Sequence, residues 1–312
     1  MKRKRRGDDM DAWNQELSKR ITGDIRFAEP ADRHTSIGVG GKIDALVFPK
    51  DVVELAETIA FLCERRIPFL PVGNWTNLIV RDGGYRGALI SLTGLHRLEI
   101  SPSGEGEIHI EAEAGVALSE LVVLSMNEGF TGMEFCAGIP GSVGGAVRMN
   151  AGAYGSEMKD VIVSLRLLEP AEGIRTLGRD ALIFGYRNLD LPAETIIIGA
   201  AFRLRKGDPE KIAGRVREIL SLRSEKHPLE FRNAGSIFKN PRSIPAGRLI
   251  ESAGLKGVRI GDAEVSAKHG NFIVNRGQAS AAEVVSLIGL VQKRVFEATG
   301  HSLETEVRII GE

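Results

Sequence analysis

Apolar residues recur along the chain at two spacings, and the switches between them mark its elements. Ala45-Leu46-Val47-Phe48-Pro49 is a continuous strand-like run. Asp51 then opens a helical spacing in which Val53, Leu55, Ile59 and Leu62 share one face. Ile67 to Val72 predicts the next strand, so this stretch reads as a βαβ unit. Strands and turns fill 88–115, where Ile108 to Ala114 alternates apolar and polar like a half-exposed strand. Leu118 to Asn127 predicts a short helix, and strands return at 161–169 and 195–205. Ile212 to Ser224 predicts a helix that Pro228 closes off, which puts a domain boundary near 208–230. The clearest helix comes last. Ser280 and Glu283 form an S-x-x-E capping box, Val284, Val285, Ile288, Val291 and Val295 make the stripe, Lys293 and Arg294 suit the C-terminal end, and Gly300 stops it. Glu306 to Ile310 predicts a terminal strand. Residues 1–20 read as a charged tail with room for a short helix, with ordered structure expected from about Arg33-His34-Thr35-Ser36 onward. There is no internal repeat and no low-complexity stretch.

Length and composition narrow the class. A chain of 312 residues suits two or three modules, and 43% hydrophobic with 26% charged residues is a globular balance. Formal net charge is zero, so no overall field recruits nucleic acid or a membrane surface. The one basic block, Lys2 to Arg6, reads as part of the tail; no apolar run follows it, as a signal peptide would require. No apolar stretch is long enough to span a bilayer. Cys63 and Cys136 stand far apart and read as reduced core thiols of a cytoplasmic protein. No metal-ligand spacing occurs, and His269 reads as structural rather than as an acid or base.

Two glycine-containing segments are candidates for cradling phosphates. They are Gly73-Asn74-Trp75-Thr76-Asn77, directly after a predicted strand, and the stretch from Gly138 to Gly155. Glycines let backbone N–H groups approach an anion closely, although clusters of structural turns produce the same composition. Gly38 to Ile43 is neither a Walker A loop nor G-x-G-x-x-G, since Ser36 and Ile43 stand where glycines belong.

Six stretches in order carry a resemblance. They are His34-Thr35-Ser36-Ile37-Gly38-Val39-Gly40-Gly41, Gly138-Ile139-Pro140-Gly141-Ser142-Val143-Gly144-Gly145, Asn150-Ala151-Gly152-Ala153-Tyr154-Gly155, Phe184-Gly185-Tyr186-Arg187, Gly235-Ser236-Ile237-Phe238-Lys239-Asn240-Pro241, and Glu304 to Gly311. The chain from about 25 to 312 resembles the UDP-N-acetylenolpyruvoylglucosamine reductase (MurB) family, flavoenzymes of peptidoglycan precursor synthesis. The short spacing from Tyr186 to Gly235 is similar to the shorter family subtype. There are two departures. Asn74-Trp75-Thr76 stands where the family usually has glycines and a serine, and Asn188-Leu189 where Tyr-Arg is often followed by Asp-Ser.

The resemblance implies an α+β fold: a two-part FAD-binding region of the vanillyl-alcohol oxidase (PCMH) type and an α+β substrate-binding domain. The implied modules are a tail over 1–20, FAD-binding parts over 21–90 and 91–208, a substrate domain over 209–300, and a terminal strand over 301–312. The implied reaction is NADPH-dependent reduction of UDP-N-acetylglucosamine enolpyruvate to UDP-N-acetylmuramate through bound FAD. The flavin would be held by Gly73, Asn74, Thr76, Asn77 and Leu78, and by Gly138, Pro140, Gly141, Ser142, Gly144, Gly145, Asn150, Ala151 and Gly152. Neither segment contains a His or Cys, so attachment is expected to be non-covalent. Ser236 would donate the proton, Arg187 would grip the substrate carboxylate, and Glu306 would be a second acid or orient the enol form. Tyr186, Lys239 and Asn240 would face the nucleotide sugar. No nucleic acid, membrane or metal partner is expected, and a monomer is the expected state. The rival readings are an FAD oxidase of the same architecture and a non-catalytic nucleotide-sugar binding protein.

Overall fold

The computed structural model describes residues 6–241 and 244–312, the side chains of 6–12 excepted. Lys2 to Arg5 of the basic block lie outside the described residues. The chain divides into two compact units that interleave in sequence: residues up to 29, 43–73 and 86–220 in the first, and 30–42, 74–85 and 221–312 in the second. Residues 30–42 and 74–85 cluster with the C-terminal residues rather than with their sequence neighbours. The first unit ends at Leu220 and the last segment of the second begins at Ser221.

The first unit opens with α1 (Arg6–Arg20) and β1 (Asp24–Pro30). The expectation of a tail is corrected here. Leu17 is fully buried, and Trp13 packs beside it in the same core. Next come β2 (Lys42–Phe48), α2 (Val52–Glu64) and β3 (Phe69–Val72), the predicted βαβ unit. Its sheet runs β1-β2-β5-β3, so β5 (Tyr85–Ser91) lies between the two strands of the unit and pairs in parallel with β3. Asp51 caps α2 by accepting from Glu54 N–H at 2.8 Å. The predicted face needs one correction: Val53 is 68% exposed, and Phe61 takes a core place beside Leu55, Ile59 and Leu62. The Glu54 carboxylate accepts backbone N–H groups of Gly23 and Lys50, tying the chain after α1 to the start of α2. Cys63 is exposed, contrary to expectation, whereas Cys136 is buried.

The rest of this unit is a six-stranded sheet. It contains β6 (Leu98–Pro102), β7 (Glu107–Glu113), β11 (Ile162–Glu169), β12 (Gly173–Gly178) and β15 (Ile196–Lys206) in the order β12-β11-β15-β7-β6, with β8 (Phe130–Thr131) also on β15. Helices α3 (Leu118–Glu128), α4 (Val143–Arg148) and α5 (Pro209–Lys226) supply the apolar residues that pack with it. Two small hairpins complete the unit: β9 (Gly152–Ala153) with β10 (Ser156–Glu157), and β13 (Phe184–Gly185) with β14 (Asn188–Leu189).

The second unit holds β4 (Leu78–Val80) paired in parallel with the terminal β20 (Arg308–Ile310). It also holds an antiparallel sheet in the order β16-β19-β18-β17: β16 (Arg232–Ser236), β17 (Arg259–Ile260), β18 (Ala263–Val265) and β19 (Phe272–Asn275). Helices α6 (Ala246–Ser252) and α7 (Ala281–Thr299) flank it, and Val284, Leu287, Val291 and Val295 of α7 join Ile237 and Phe238 in one core. The capping box on α7 forms as predicted, and Gly300 ends the helix at φ 72°. The Asp82 carboxylate adds a second cap by accepting from Ala281 and Ala282 N–H.

The motif from His34 to Gly41 is part of this scaffold. Thr35 Oγ1 donates to Val39 O, Ser36 Oγ donates to Asn233 O, and a Cβ on Gly41 would overlap the Asp82 carbonyl. No helix among the described residues is long and apolar enough to cross a membrane.

Candidate active site

Ser236 owes its setting to the glycine before it. From Asn233 to Ser236 on β16, three steps along the chain match two steps on β19, so β16 carries one extra residue there. Gly235 absorbs it at φ 72°, with its N–H held by Asn233 Oδ1 at 3.0 Å. The bulge leaves Ser236 half-buried at the end of the strand, while Ile237 and Phe238 plunge into the core.

The chain near the C-terminus then lies along this segment. Glu306 N–H donates to Ile237 O at 2.7 Å, Lys239 N–H donates to Glu304 O at 2.9 Å, and Thr305 bridges Phe238. Ser236 and Glu306, 70 positions apart (306 minus 236), thus end within one residue of a shared hydrogen bond. Glu306 sits in a bend before β20 rather than inside a strand. Asn77 steadies it from the other side, donating Nδ2 to Glu306 O at 3.0 Å while its own carbonyl accepts from Arg308 N–H.

Several predicted residues are committed to local roles. The Lys239 ammonium pairs with Glu304. Asn240 Oδ1 accepts from Ala246 N–H and caps α6. Leu78 is buried in β4, opposite Arg308. Trp75 holds φ 55°, a conformation natural to glycine, with its ring against His34 at 5.3 Å. Asn74 is exposed beside it and Thr76 half-buried.

In the first unit Gly138 and Gly141 take φ 69° and 153°, and Pro140 is exposed between them. Val143 and Gly144 N–H donate to Val116 and Ala114 carbonyls, which anchors the loop on the turn before α3. Gly144 is required there, since a Cβ would come within 2.9 Å of Ala114 Cβ. Ser142 Oγ is buried and has no hydrogen-bond partner among the described residues. It faces Gly73, where any Cβ would overlap it. A buried hydroxyl without a partner, set against a glycine that keeps the space open, fits the edge of a phosphate-bearing cofactor such as FAD. Gly145, Ala151 and Gly152 continue this segment as exposed or half-buried positions.

Tyr186 and Arg187 form the tip of the β13–β14 hairpin, not a strand surface, with Arg187 at φ 53°. Arg187 Nη2 donates to Gly152 O at 2.8 Å, and its guanidinium lies 5.1 Å from the Tyr186 ring centre. Asn150, expected to hold the flavin, is fully buried with its side chain bonded to Glu157, Gly185 and Lys159. Sequence reasoning missed the supporting roles of Asn77 and Asn150 and the Glu304 partner of Lys239. Only the Glu304-Thr305-Glu306 spacing hinted at the last. No cluster able to hold a metal ion occurs among the described residues.

Comparison with known proteins fits this arrangement. Residues 227–310 match the family described as UDP-N-acetylenolpyruvoylglucosamine reductase, C-terminal domain, and residues 43–178 match an FAD binding domain. A UDP-N-acetylenolpyruvoylglucosamine reductase of Syntrophus aciditrophicus is 54% identical over 96% of both chains. One from Lactiplantibacillus plantarum is 43% identical over 93% of this chain and 94% of its own. The crystal structure of a UDP-N-acetylenolpyruvylglucosamine reductase from Thermus caldophilus superposes with a TM-score of 0.76 at 32% identity, covering 93% of this chain and 99% of that one. The α+β fold with an FAD-binding region is therefore that of the relatives, and the chain belongs to the UDP-N-acetylenolpyruvoylglucosamine reductase family.

Proposed function

We propose that Ser236, Arg187 and Glu306 perform the proton and charge handling of the family reaction, the NADPH-dependent reduction of UDP-N-acetylglucosamine enolpyruvate to UDP-N-acetylmuramate. The chain is an FAD-containing oxidoreductase of peptidoglycan precursor synthesis. The observation that carries the residue assignment is the backbone pairing that seats Glu306 against Ile237, next to Ser236 on its glycine bulge.

Bound FAD supplies the hydride, with NADPH as its source. The flavin is assigned to residues 73–78 and 138–152, the Asn150 side chain excepted, with Ser142 Oγ as a donor that has no other partner among the described residues. Reduction adds hydride to the terminal enolpyruvyl carbon and a proton to its neighbour. Negative charge gathers on that neighbour and on the attached carboxylate in between. Arg187 offers a fixed planar fork to that carboxylate. Ser236 Oγ–H delivers the proton; a carbanion is basic enough for a hydroxyl to serve. Glu306 assists as a second acid or by orienting the enol form. Lys239 exchanges Glu304 for the substrate's diphosphate, and Tyr186 and Asn240 flank the sugar. The reading includes action in the cytoplasm, as a monomer.

Ser236→Ala tests it, because one oxygen is lost and no charge. Flavin bleaching by NADPH should persist. Reoxidation by the enolpyruvyl substrate should slow on the order of 10² to 10⁴-fold, the usual cost of losing a positioned acid. A variant that reoxidises as fast as the parent removes Ser236 from the role and makes Glu306 the first candidate.

A further inference from the structure

Asn150 is the hub of a buried network. It is fully buried at φ 43°, in the left-handed region that asparagine tolerates better than most residues. Its Nδ2 donates to Glu157 Oε2 at 2.9 Å and to Gly185 O at 3.0 Å, and its Oδ1 accepts from Lys159 N–H at 3.1 Å. Two acceptors on one side and a backbone donor on the other fix which way the amide points. Both amide hydrogens are in use, so binding a cofactor through this side chain would break buried bonds.

The network joins two tight hairpins. One turns through Tyr154 at φ 54° and Gly155 at φ 92°, the other through Tyr186 and Arg187 at φ 53°. Gly185, which takes the Asn150 amide, immediately precedes the second turn. Arg187 closes the circuit by donating to Gly152 O at 2.8 Å. The base of the Tyr186-Arg187 turn and the guanidinium itself are thus both fastened to residues 150–152.

Glu157 completes the frame. Burial alone would raise its pKa, but the Lys159 ammonium at 2.6 Å and the Asn150 amide, aided by the field of Arg187, outweigh burial and hold the carboxyl below its ordinary range. It is a carboxylate at neutral pH, so the acceptor that orients Asn150 is always present.

We propose that Asn150 is a positioning residue for Arg187, acting through the 184–189 hairpin to aim the guanidinium at the substrate carboxylate, and not a flavin ligand. The proposal rests on the role given to Arg187 above. A misplacement of about 1 Å in a positioning group is enough to cost on the order of 10²-fold in rate.

The test uses the flavin-loaded enzyme and its apoprotein. Asn150→Gly deletes the amide yet suits the backbone at φ 43°, and the Gly185 carbonyl it releases belongs to an exposed residue that water can reach. Asn150→Asp keeps the shape but removes both donors, and carries the same readouts should the glycine variant fail to fold. Each is made alone and with Arg187→Ala. FAD affinity of the apoprotein should stay within about tenfold of the parent, and bleaching by NADPH should be little changed. Reoxidation by the enolpyruvyl substrate should fall on the order of 10²-fold, and that loss should vanish in the Arg187→Ala background. A loss of equal size in both backgrounds, or FAD affinity weakened by clearly more than about tenfold, overturns the proposal. A slow Arg187→Ala beside an Asn150→Gly as fast as the parent overturns it alone. An Arg187→Ala that reoxidises like the parent overturns the role of Arg187, and the proposal with it.

Discussion

Trp75 sets two energies against each other, and Trp75→Gly separates them. At φ 55° its β-carbon is strained by roughly 1–2 kcal/mol, which a glycine would not feel. Against this, only 8% of the residue is exposed, and its ring lies tilted over His34 with centroids 5.3 Å apart. Removing a buried tryptophan side chain costs about 3–5 kcal/mol. Glycine adds a further loss of about 0.5–1 kcal/mol by freeing the unfolded chain. Burial therefore wins, and Trp75→Gly should destabilise by about 1.5–5 kcal/mol net. The loop path should survive, because Ser36 N–H bonds the Trp75 carbonyl and not the ring. FAD affinity should then move by less than about tenfold. Urea unfolding of the apoprotein, followed by far-UV circular dichroism, gives the stability, and a flavin titration gives the affinity. The chain has two tryptophans, so the variant's remaining fluorescence comes from Trp13 and reports on the first unit separately. A variant as stable as the parent would mean that strain matches burial. One that binds FAD far more tightly would mean that the ring obstructs the flavin loop.

Two further outcomes are expected. Arg187→Lys keeps the charge but loses the planar fork, so reoxidation by substrate should slow on the order of 10²-fold or more while reduction by NADPH changes much less; equal slowing of both steps would instead place Arg187 in support of the fold or the flavin. His227 packs on Phe272 at 4.9 Å and His269 at 5.5 Å, and burial, followed by the charges of Arg223, His269, Lys268 and Lys226, pushes its pKa from 6.5 down to about 4. Its folded pKa lies below the unfolded one, so the unfolded chain takes up a proton that the folded chain refuses; the resulting stability is complete above 6.5 and is lost as pH falls toward 4. His227→Phe should therefore shrink the drop in urea midpoint between about pH 7 and about pH 5, and an unchanged drop would assign it to other groups.

Local chemistry was legible in the sequence wherever a few neighbouring residues decide the outcome. The α7 start is the best case: Ser280 and Glu283 satisfy orphan N–H groups within one turn, and the structure forms that box. Reading failed where exposure depends on distant packing. Val53 fits a helical stripe by spacing but lies on the first turn of α2, turned to solvent, and Phe61 fills the core. Cys63, two positions on, is exposed for the same reason. Room for a short N-terminal helix was legible, but its packing was not, because its charge hides Leu17, the one buried anchor among its described side chains.

The candidate site shows the same division more sharply. Gly235-Ser236 could be recognised as a motif, but the reason for its glycine is a register shift against β19, about forty residues further along the chain. Glu306 was identifiable, yet its seat depends on hydrogen bonds to Ile237 and Asn77, each contributed from another part of the second unit. Asn150 inverts the case. Its place in a glycine-rich segment suggested a cofactor ligand, and only the positions of Glu157, Lys159 and Gly185 reveal that its amide is already occupied. A residue expected to touch substrate, such as Ser236 or Arg187, is marked by the motifs that resemble the family, since a lone serine or a Tyr-Arg pair carries little signal of its own. A residue that aims it has no distinctive chemistry: an amide bonded to carbonyls looks alike at a turn, a cap or a cofactor. What identifies it is which bonds it has already made, and those are set by chain crossings that no local spacing encodes.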